Sequence, residues 1–160
     1  MNVRQSASDF RLVKLNADGL PEVPILDLPA AIVENCNATA DFYRKIGFVS
    51  PWVGYIALYE ELAVGGGAFV GPPINGRVEI AYYTLPELEG RGFATLTAKG
   101  LVQLARDAVP EIEVFAKTLP QLNASTSILR QLGFQHIGTA MDEDIGEAWA
   151  WLLPALKRRN

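Results

Sequence analysis

Residues 77–95 lead from an apolar strand pattern into a helical one through a turn that contains two glycines. The stretch RVEIAYYTL (77–85) is rich in strand-forming residues, Pro86 to Gly92 interrupt it, and from Phe93 onward apolar residues recur at helical spacing. Glycine permits positive φ and lets a ligand approach the backbone closely. A helix start leaves N–H groups unpaired and carries about half a positive charge. Residues 90–95 therefore fit an anion site, although an ordinary tight βα turn has the same pattern.

The remaining segments give the predicted order β, α, β, β, β, α, β, α, β, β. An uninterrupted βαβα alternation would indicate a doubly wound parallel sheet. Here a strand meander precedes two helical crossovers and a closing hairpin, so we predict an α/β protein of the α+β type, with one mixed, mostly antiparallel sheet flanked by helices. The predicted segments are strands at 10–15, 52–59, 62–70, 77–85 and 112–118, helices at 30–46, 93–108 and 125–132, and two closing strands, FQHIGTA and EAWAWLL.

Several glycines refine this prediction. Gly47 and Gly133 suit helix ends. Asn75-Gly76 predicts a type I′ hairpin turn, and the glycines at 65–67 indicate a bulge or a close backbone approach. In the first helix we expect Ala31, Phe42 and Ile46 to point inward. In the helix that starts at Phe93, Lys99 falls on the predicted solvent face.

Composition excludes several classes of function. The 160 residues suit one domain, 1–160, and 49% of them are hydrophobic. The net charge of −4 shows no basic footprint, so we do not expect direct nucleic-acid binding. Cys36 is the only cysteine and His136 the only histidine, which offers neither a disulfide nor a zinc site. No signal-peptide pattern or long apolar run occurs, so we expect a cytoplasmic protein without membrane association.

Two nucleotide motifs compete for the glycine turn. Gly90 and Gly92 supply the first two glycines of G-x-G-x-x-G, but Thr95 stands where the third should be. The preceding strand also follows the Asn-Gly hairpin, so it does not open a parallel βαβ unit. No G-x-x-x-x-G-K-[ST] occurs, since Lys99-Gly100 has the wrong order. A nicotinamide-dependent oxidoreductase is therefore a weaker alternative, and a P-loop is excluded.

Residues 64–134 resemble the GNAT N-acetyltransferase superfamily, particularly its branch related to ribosomal-protein alanine acetyltransferases. Three segments carry the resemblance in order: VGGGAFVGPPINGRVEIAYYTLPELEGRGFAT, VFAKTLPQLNASTSILRQLGF and the closing EAWAWLL. The first is similar to the family's acetyl-CoA motif, in which an R/Q-x-x-G-x-G/A turn wraps the pyrophosphate. Gly92 and Ala94 match that motif, whereas Glu89 departs from the usual Arg or Gln.

The resemblance implies a GNAT fold and an enzyme that transfers an acetyl group directly from acetyl-CoA to a primary amine, without a metal. The amine would belong to a peptide N-terminus or a small molecule, and a homodimer is compatible with the family. The alternative is a non-catalytic acyl-CoA sensor or interaction domain. The implied cofactor contacts are the backbone of Tyr83 and Leu85, the turn residues Gly90, Arg91, Gly92, Phe93, Ala94 and Thr95, and the amide of Asn123.

Two residues are candidates for catalysis. Glu79 alternates with apolar neighbours on the predicted strand and matches the family's V-E-I-G-Y, so it is the candidate base, acting directly or through water. Its ordinary alternative is a partner for Arg77 or a solvent-facing charge. Ser125 matches a family serine that protonates the leaving thiolate, but serine is also a common helix N-cap. The Asn of that family segment falls on Leu122, which leaves the amide contact to Asn123.

Other polar and aromatic residues have weaker claims. Tyr82 and Tyr83 are alternative acids or walls of the site, and Arg91 suits either a phosphate contact or an exposed position. We expect His136 to be structural and the closing-strand tryptophans to pack. The acidic residues at 142–147 suit a solvated hairpin tip or a surface that attracts a cationic acceptor.

Overall fold

The structure of the protein, a computed structural model, describes residues 9–157. A seven-stranded sheet and three α-helices account for most of this range, and a 3₁₀ turn at Pro86–Leu88 precedes the second helix. The elements in chain order are β1 (Phe10–Lys14), α1 (Ala30–Ile46), β2 (Gly54–Tyr59), β3 (Leu62–Phe69), β4 (Arg77–Thr84), α2 (Phe93–Ala108), β5 (Glu113–Thr118), α3 (Ala124–Gln131), β6 (Gln135–Asp142) and β7 (Gly146–Leu153).

The sheet has the strand order β1-β2-β3-β4-β5-β7-β6. Five of its six described pairings are antiparallel, and only β4 and β5 run parallel. The parallel pair is joined by α2, because parallel neighbours need a crossover connection. The prediction of one mixed, mostly antiparallel sheet with helices on its faces is confirmed.

The hairpin between β3 and β4 turns as the sequence predicts. Asn75 and Gly76 have φ of 52° and 78°, and a bridge between Ile74 and Arg77 closes the turn. Positive φ at both central residues is the requirement of a type I′ turn. This turn fixes the register of β4, the strand that leads into the glycine turn.

Gly65 and Gly67 let β4 and α2 pack tightly against β3. The β2–β3 register shifts from Ala57 opposite Gly65 to Leu58 opposite Ala63, so a bulge lies at Val64, next to Gly65. A Cβ atom on Gly65 would collide with the carbonyl of Tyr83, and one on Gly67 would lie 2.7 Å from Leu101 Cδ1. A bulge and a close backbone approach are therefore both present in this region, and the close approach brings β4 and the middle of α2 against β3.

The buried face of α1 differs from the predicted one. Ala31 is exposed, and Phe42 and Ile46 are 36% and 46% exposed. The helix instead buries Ile32, Cys36, Ala40 and Tyr43. The Tyr43 hydroxyl donates a hydrogen bond to the Phe69 carbonyl, and this pairing inside the core turns the helix by about one residue from the predicted phase. The apolar residues of α1 fit two helical faces, and only the tertiary partner selects one.

Candidate active site

Strands β4 and β5 separate at one end of the sheet. Their parallel register runs from Arg77 opposite Glu113 to Ile80 opposite Ala116 and then stops, although β4 continues to Thr84. The last residues of β4 therefore have no strand partner on their β5 side. Such a gap exposes backbone donors and acceptors that an extended, peptide-like molecule can pair with.

The two sides of β4 carry different backbone groups. The Glu79 carbonyl accepts from the Val70 N–H at 2.8 Å, and the Leu85 N–H donates to the Val64 carbonyl at 2.9 Å. Both bonds point away from β5. Backbone groups alternate in direction along a strand, so the odd-numbered residues of β4 face β3. The Leu85 amide, a predicted cofactor contact, is thus already bonded within the sheet.

The groups that face the gap belong to the even-numbered residues. By the same alternation the backbone of Tyr83 is turned toward β3, while Tyr82 and Thr84 are turned toward the separated β5. The Thr84 hydroxyl is also buried with no hydrogen-bond partner. The backbone groups that face the gap thus lie one residue away from the predicted contacts at Tyr83 and Leu85, and those contacts stay predictions. The reason is register, which depends on the strand pairing and not on the sequence of β4 alone.

The glycine turn has the conformation expected from its composition. Gly90 and Gly92 have φ of 78° and 89°, in the region that glycine enters without strain, and Gly92 is the N-cap of α2. Within residues 9–157 the backbone N–H groups of 90–95 donate no hydrogen bond, and the first helical bond comes from Leu96 to Gly92. Unpaired N–H groups and the positive end of the α2 dipole therefore occur together at this turn.

A cleft of about 940 Å³ opens at this turn, between the start of α2 and the start of α3. It carries two cationic side chains, Arg91 and Lys99, and one acidic side chain, Glu89. Its wall is formed by residues 82–84, 88–96 and 99, and by 123–125, 127, 128 and 131. A cleft of this size suits a cofactor-sized ligand, and its charges favour an anionic one.

Most predicted cofactor residues line this cleft. The six turn residues, Tyr83 and Asn123 all do, whereas Leu85 is buried in the core. Sequence reasoning missed Lys99, which it placed on the solvent face of α2. Lys99 follows Thr95 by four residues, and that spacing puts both side chains on one helix face. The spacing was a usable signal once Thr95 was assigned to the site.

The start of α3 separates the roles of its polar residues. The Asn123 side chain accepts from the Thr126 N–H at 3.1 Å, and the Thr126 hydroxyl accepts from the Asn123 N–H at 3.0 Å, which forms a reciprocal capping box. Asn123 therefore fills the N-cap role that was the structural alternative for Ser125. Ser125 lies two residues further on, is exposed, and lines the cleft. Leu122 is 75% exposed and lies outside it.

A smaller cavity of about 240 Å³ continues the cleft into the gap between β4 and β5. Tyr82, Asn123 and Ser125 line both, so the two spaces meet at these residues. Burial raises the pKa of the Tyr82 hydroxyl to about 12, so it remains protonated at neutral pH. The meeting point thus presents two hydroxyls to whatever enters the gap, and Ile145 of the β6–β7 turn closes its far side.

Glu79 lies beside Lys117, not beside Arg77. Lys117 Nζ is 3.7 Å from Glu79 Oε1 and 3.6 Å from Asp142 Oδ2, while Arg77 pairs with Glu113 at 3.4 Å. Burial raises the pKa of the Glu79 carboxyl above its usual value; the Lys117 charge opposes this shift and the Asp142 charge adds to it. A raised pKa suits a carboxylate that must accept a proton.

The structure brings Ser125 and the glycine turn to one cleft but does not place Glu79 in that cleft. Glu79 alternates with Ile80, so its side chain leaves the opposite face of β4, and it lines neither cavity. Its partner Lys117 lines the smaller cavity. The gap between the strands is the passage between the two faces at this point, because no backbone ladder closes it.

The remaining aromatic residues pack as expected. The His136 ring stacks on Trp151 with 4.9 Å between centroids, and Trp151 Nε1 donates to the Thr118 hydroxyl at 2.9 Å. Among residues 9–157 no cluster of three or more His, Cys, Asp or Glu side chains could hold a metal ion. Across the same range none of the helices combines the length and apolar character needed to cross a membrane.

Comparison with known families and structures points to one class. The family model described as acetyltransferase (GNAT) domain matches residues 26–135, which is more than half of the chain. That range includes α1, β2 to β5, the glycine turn, α2 and α3. No curated protein sequence matches the chain.

Solved structures share this fold at low sequence identity. RimL, the ribosomal L7/L12 alpha-N-protein acetyltransferase, is similar in its apo form with a TM-score of 0.66 and 13% identity, over 92% of this chain and 94% of RimL. YncA from Salmonella typhimurium, solved with its cofactor acetyl-CoA, gives 0.62 and 14%, over 95% and 97%. Mycobacterium smegmatis RimJ in complex with CoA-disulfide gives 0.61 and 16%, over 83% and 68%.

Proposed function

The chain belongs to the GNAT acetyltransferase family and is an acetyl-CoA-dependent N-acetyltransferase, and from this premise we propose that its acceptor is the primary amine of a peptide N-terminus or of a small molecule. The observation that carries the proposal is the cleft of about 940 Å³ at the start of α2, which is lined by residues 90–95, whose backbone N–H groups donate no hydrogen bond within residues 9–157. Solved relatives of the same fold include a ribosomal-protein acetyltransferase, which supports a peptide amine as one of the two acceptor classes.

The cofactor is proposed to bind along the cleft in two parts. The pyrophosphate accepts hydrogen bonds from the N–H groups of residues 90–95, with Arg91 and Lys99 as cationic neighbours. The amide-containing pantetheine arm pairs with the backbone of Tyr82 and Thr84, where β5 has separated from β4. The acetyl thioester then enters the smaller cavity near Ser125. Asn123 contributes only its amide NH₂, because its Oδ1 caps α3.

The proposed reaction is a direct transfer in a ternary complex. The acceptor ammonium loses a proton to Glu79, directly or through a water in the gap, and the neutral amine attacks the thioester carbonyl. The new amide C–N bond forms as the C–S bond breaks. The Ser125 hydroxyl donates a proton to the departing thiolate and regains one from the nitrogen of the new amide, with the Tyr82 hydroxyl as the alternative donor at the same junction. The proton held by Glu79 then passes to solvent, so the products are the amide, the CoA thiol and one proton. No covalent enzyme intermediate is required, in keeping with a single cysteine, Cys36, that lies on the buried face of α1.

A thermal-shift titration with acetyl-CoA, desulfo-CoA, NAD and ATP tests the cofactor assignment. A ligand at about a hundred times its dissociation constant stabilises the fold by roughly 2.7 kcal/mol, which for a chain of this size is a few degrees in Tm. We expect a shift with acetyl-CoA and its desulfo analogue and none with NAD. Stabilisation by NAD instead would support the alternative that residues 90–95 bind a dinucleotide.

Acceptor class is tested by release of free CoA thiol during incubation with acetyl-CoA and a panel of amines. The panel contains peptides that differ only in their N-terminal residue, the same peptides with a blocked N-terminus, and small amines. Thiol release with the free peptides and not the blocked ones assigns a peptide α-amine. Cofactor binding without thiol release for any amine would favour the non-catalytic acyl-CoA sensor, which the acidic Glu89 in the phosphate region keeps as the second candidate.

Four further sequence predictions stay predictions. They are a single domain over 1–160, a cytoplasmic location, a homodimer, and the absence of direct nucleic-acid or membrane partners. Size-exclusion chromatography with light scattering tests the third, and the acceptor panel does not depend on any of them.

A further inference from the structure

Lys117 joins three parts of the site that the sequence separates widely. Its ammonium lies 3.7 Å from Glu79 Oε1 on β4 and 3.6 Å from Asp142 Oδ2 at the end of β6, and it also donates to the Met141 carbonyl at 3.3 Å. The three charged side chains are 22–26% exposed, so each is mostly removed from solvent. Ion pairs that are partly desolvated are screened less by salt than surface pairs.

Lys117 lies on β5 at a point from which it can contact groups on both faces of the sheet. It follows Ala116, the last residue of β5 that pairs with β4, so it stands where the two strands begin to separate. Lys117 lines the smaller cavity together with Tyr82 and Ser125, and its ammonium lies beside Glu79, which lines neither cavity. Lys117 is therefore the described side chain that connects the candidate base with the cavity of the candidate acid.

Asp142 is held in place independently of Lys117. Its Oδ1 accepts from the N–H groups of Asp144 and Ile145 at 2.9 and 3.2 Å, an Asx-type turn at the tip of the β6–β7 hairpin. These backbone hydrogen bonds, first that from Asp144, lower the pKa of the Asp142 carboxyl. Ile145 of the same turn lines the smaller cavity. The β6–β7 hairpin thus places the negative charge of Asp142 near Glu79 and the apolar side chain of Ile145 at the wall of the smaller cavity.

We propose that Lys117 is a positioning residue for acetyl transfer: shared between Glu79 and Asp142, it holds Glu79 as an oriented carboxylate and couples that carboxylate to the placement of the β6–β7 hairpin. This inference rests on the proposed role of Glu79 as base. The ammonium offsets one of the two carboxylate charges; without it the two carboxylates repel each other, which favours protonation of one of them. That carboxyl is Glu79, because Asp142 keeps its two backbone donors.

Few charged groups surround Glu79, so the effect of each group on the ionisation of Glu79 can be tested separately. β5 contributes Lys117 and β6 contributes Asp142, while on the β3 side its neighbour is the uncharged Val70. Arg77 lies two residues earlier on the same face of β4 and is paired with Glu113. Removing the cation and removing the second anion should therefore move the ionisation of Glu79 in opposite directions, whereas a merely structural disturbance would move it one way in both variants.

The experiment is an NMR titration of the Glu79 side-chain carboxyl carbon, assigned with Glu79→Gln, in the full chain without an acceptor. We expect Lys117→Met to raise the pKa of Glu79, Asp142→Asn to lower it, Lys117→Arg to leave it near the wild-type value, and the matched control Arg77→Met to move it less than Lys117→Met. An unchanged titration in Lys117→Met, or shifts of the same sign in Lys117→Met and Asp142→Asn, would overturn the inference.

Activity separates this inference from the proposed function. With an acceptor from the amine panel, Lys117→Met should move the low-pH fall of kcat/KM to higher pH, and Lys117→Arg should restore it. If Glu79→Gln leaves kcat/KM unchanged, the base assignment fails and Lys117 has no positioning role in the transfer. If Glu79→Gln abolishes turnover while Lys117→Met keeps the wild-type pH profile, the base assignment stands and only the present inference fails.

Discussion

The side chain of Asn123 caps α3 by accepting a hydrogen bond from the Thr126 N–H, and this leaves the hydroxyl of Ser125, two residues further on, unneeded for the helix. Ser125 sits instead where the cofactor cleft meets the smaller cavity. Asn123 therefore has the structural role at this turn and Ser125 the proposed chemical role, and substitutions at the two positions can test these roles separately.

Ser125→Ala should lower kcat without loosening the fold. Loss of a general acid costs about 100-fold or more in many enzymes, and we expect roughly tenfold to 100-fold here because a thiolate is a good leaving group near neutral pH. The free energy of unfolding should change by no more than about 0.5 kcal/mol, as for other exposed sites. Steady-state kinetics measures the change in kcat, and urea unfolding measures the change in the free energy of unfolding.

Asn123→Ala is the matched control for Ser125→Ala, because we expect it to change the stability of the fold. Removal of an N-cap side chain costs about 1 kcal/mol of stability. We therefore expect a lower unfolding midpoint for Asn123→Ala and an unchanged one for Ser125→Ala. A stability loss in Ser125→Ala as large as that in Asn123→Ala would mean that Ser125 supports the helix and would weaken its assignment as the acid.

Gly92→Val should impair CoA binding while the chain still folds. Gly92 has φ of 89°, and no atom lies within 4 Å of the position that a Cβ would take there, so the valine suffers backbone strain rather than a collision. That strain is roughly 1–2 kcal/mol. Relief of it shifts the backbone of the turn that lines the cleft, and we expect CoA affinity to fall by about tenfold or more, the equivalent of about 1.4 kcal/mol. Calorimetric titration with CoA measures it.

Gly76→Val provides the control for backbone strain. Gly76 has φ of 78°, its Cβ position is also open, and it lies in the β3–β4 hairpin outside both cavities. Its stability loss should resemble that of Gly92→Val, with CoA affinity unchanged. Equal affinity losses in both variants would attribute the effect to global destabilisation and not to the turn.

Glu89→Gln should strengthen CoA binding. Glu89 lines the phosphate region of the cleft, where its charge opposes that of an incoming anion. Removing one such charge near the surface is worth about 0.5–1 kcal/mol, a two- to fivefold gain in affinity at low ionic strength. Glu87→Gln, at an exposed residue outside the cleft, should have no effect. Added salt should shrink the difference between Glu89→Gln and wild type, and a gain that persists at high salt would point to another cause.

Glu79 predicts the pH dependence of transfer at low pH. Burial raises the pKa of its carboxyl, so the base is ionised above that raised value and is lost as the pH falls through it. An amine acceptor also becomes protonated as the pH falls, so log(kcat/KM) should fall more steeply in wild type than in Glu79→Gln. The variant should also lose about 100-fold or more in kcat/KM. Parallel profiles for the two proteins would remove Glu79 from the proton transfer.

Local patterns in the sequence were sufficient for the elements and for the glycine turn. The strand-to-helix change at 85–93 and the Asn75-Gly76 dipeptide depend on φ preferences of the residues themselves, which act in any tertiary context. The order of the elements then left one plausible architecture, since a strand meander cannot join a purely parallel sheet.

The site was decided in part by contacts between distant residues. The pairing of β4 with β3 and β5 sets the register of β4. In this register the free backbone groups belong to Tyr82 and Thr84, and the Leu85 amide is hydrogen-bonded within the sheet. Lys117, which lies on β5 beyond the whole of α2, gave Glu79 its ion pair in place of Arg77.

The sequence by itself determined where the chain turns, where the helices begin and which residues could bind an anion, because those properties arise from a residue and its near neighbours. The tertiary structure decided which face of α1 is buried, which backbone groups face the gap, and which charge balances Glu79. Each of these depends on an angle or a distance between separate elements, and a periodic pattern allows more than one such arrangement until packing selects one.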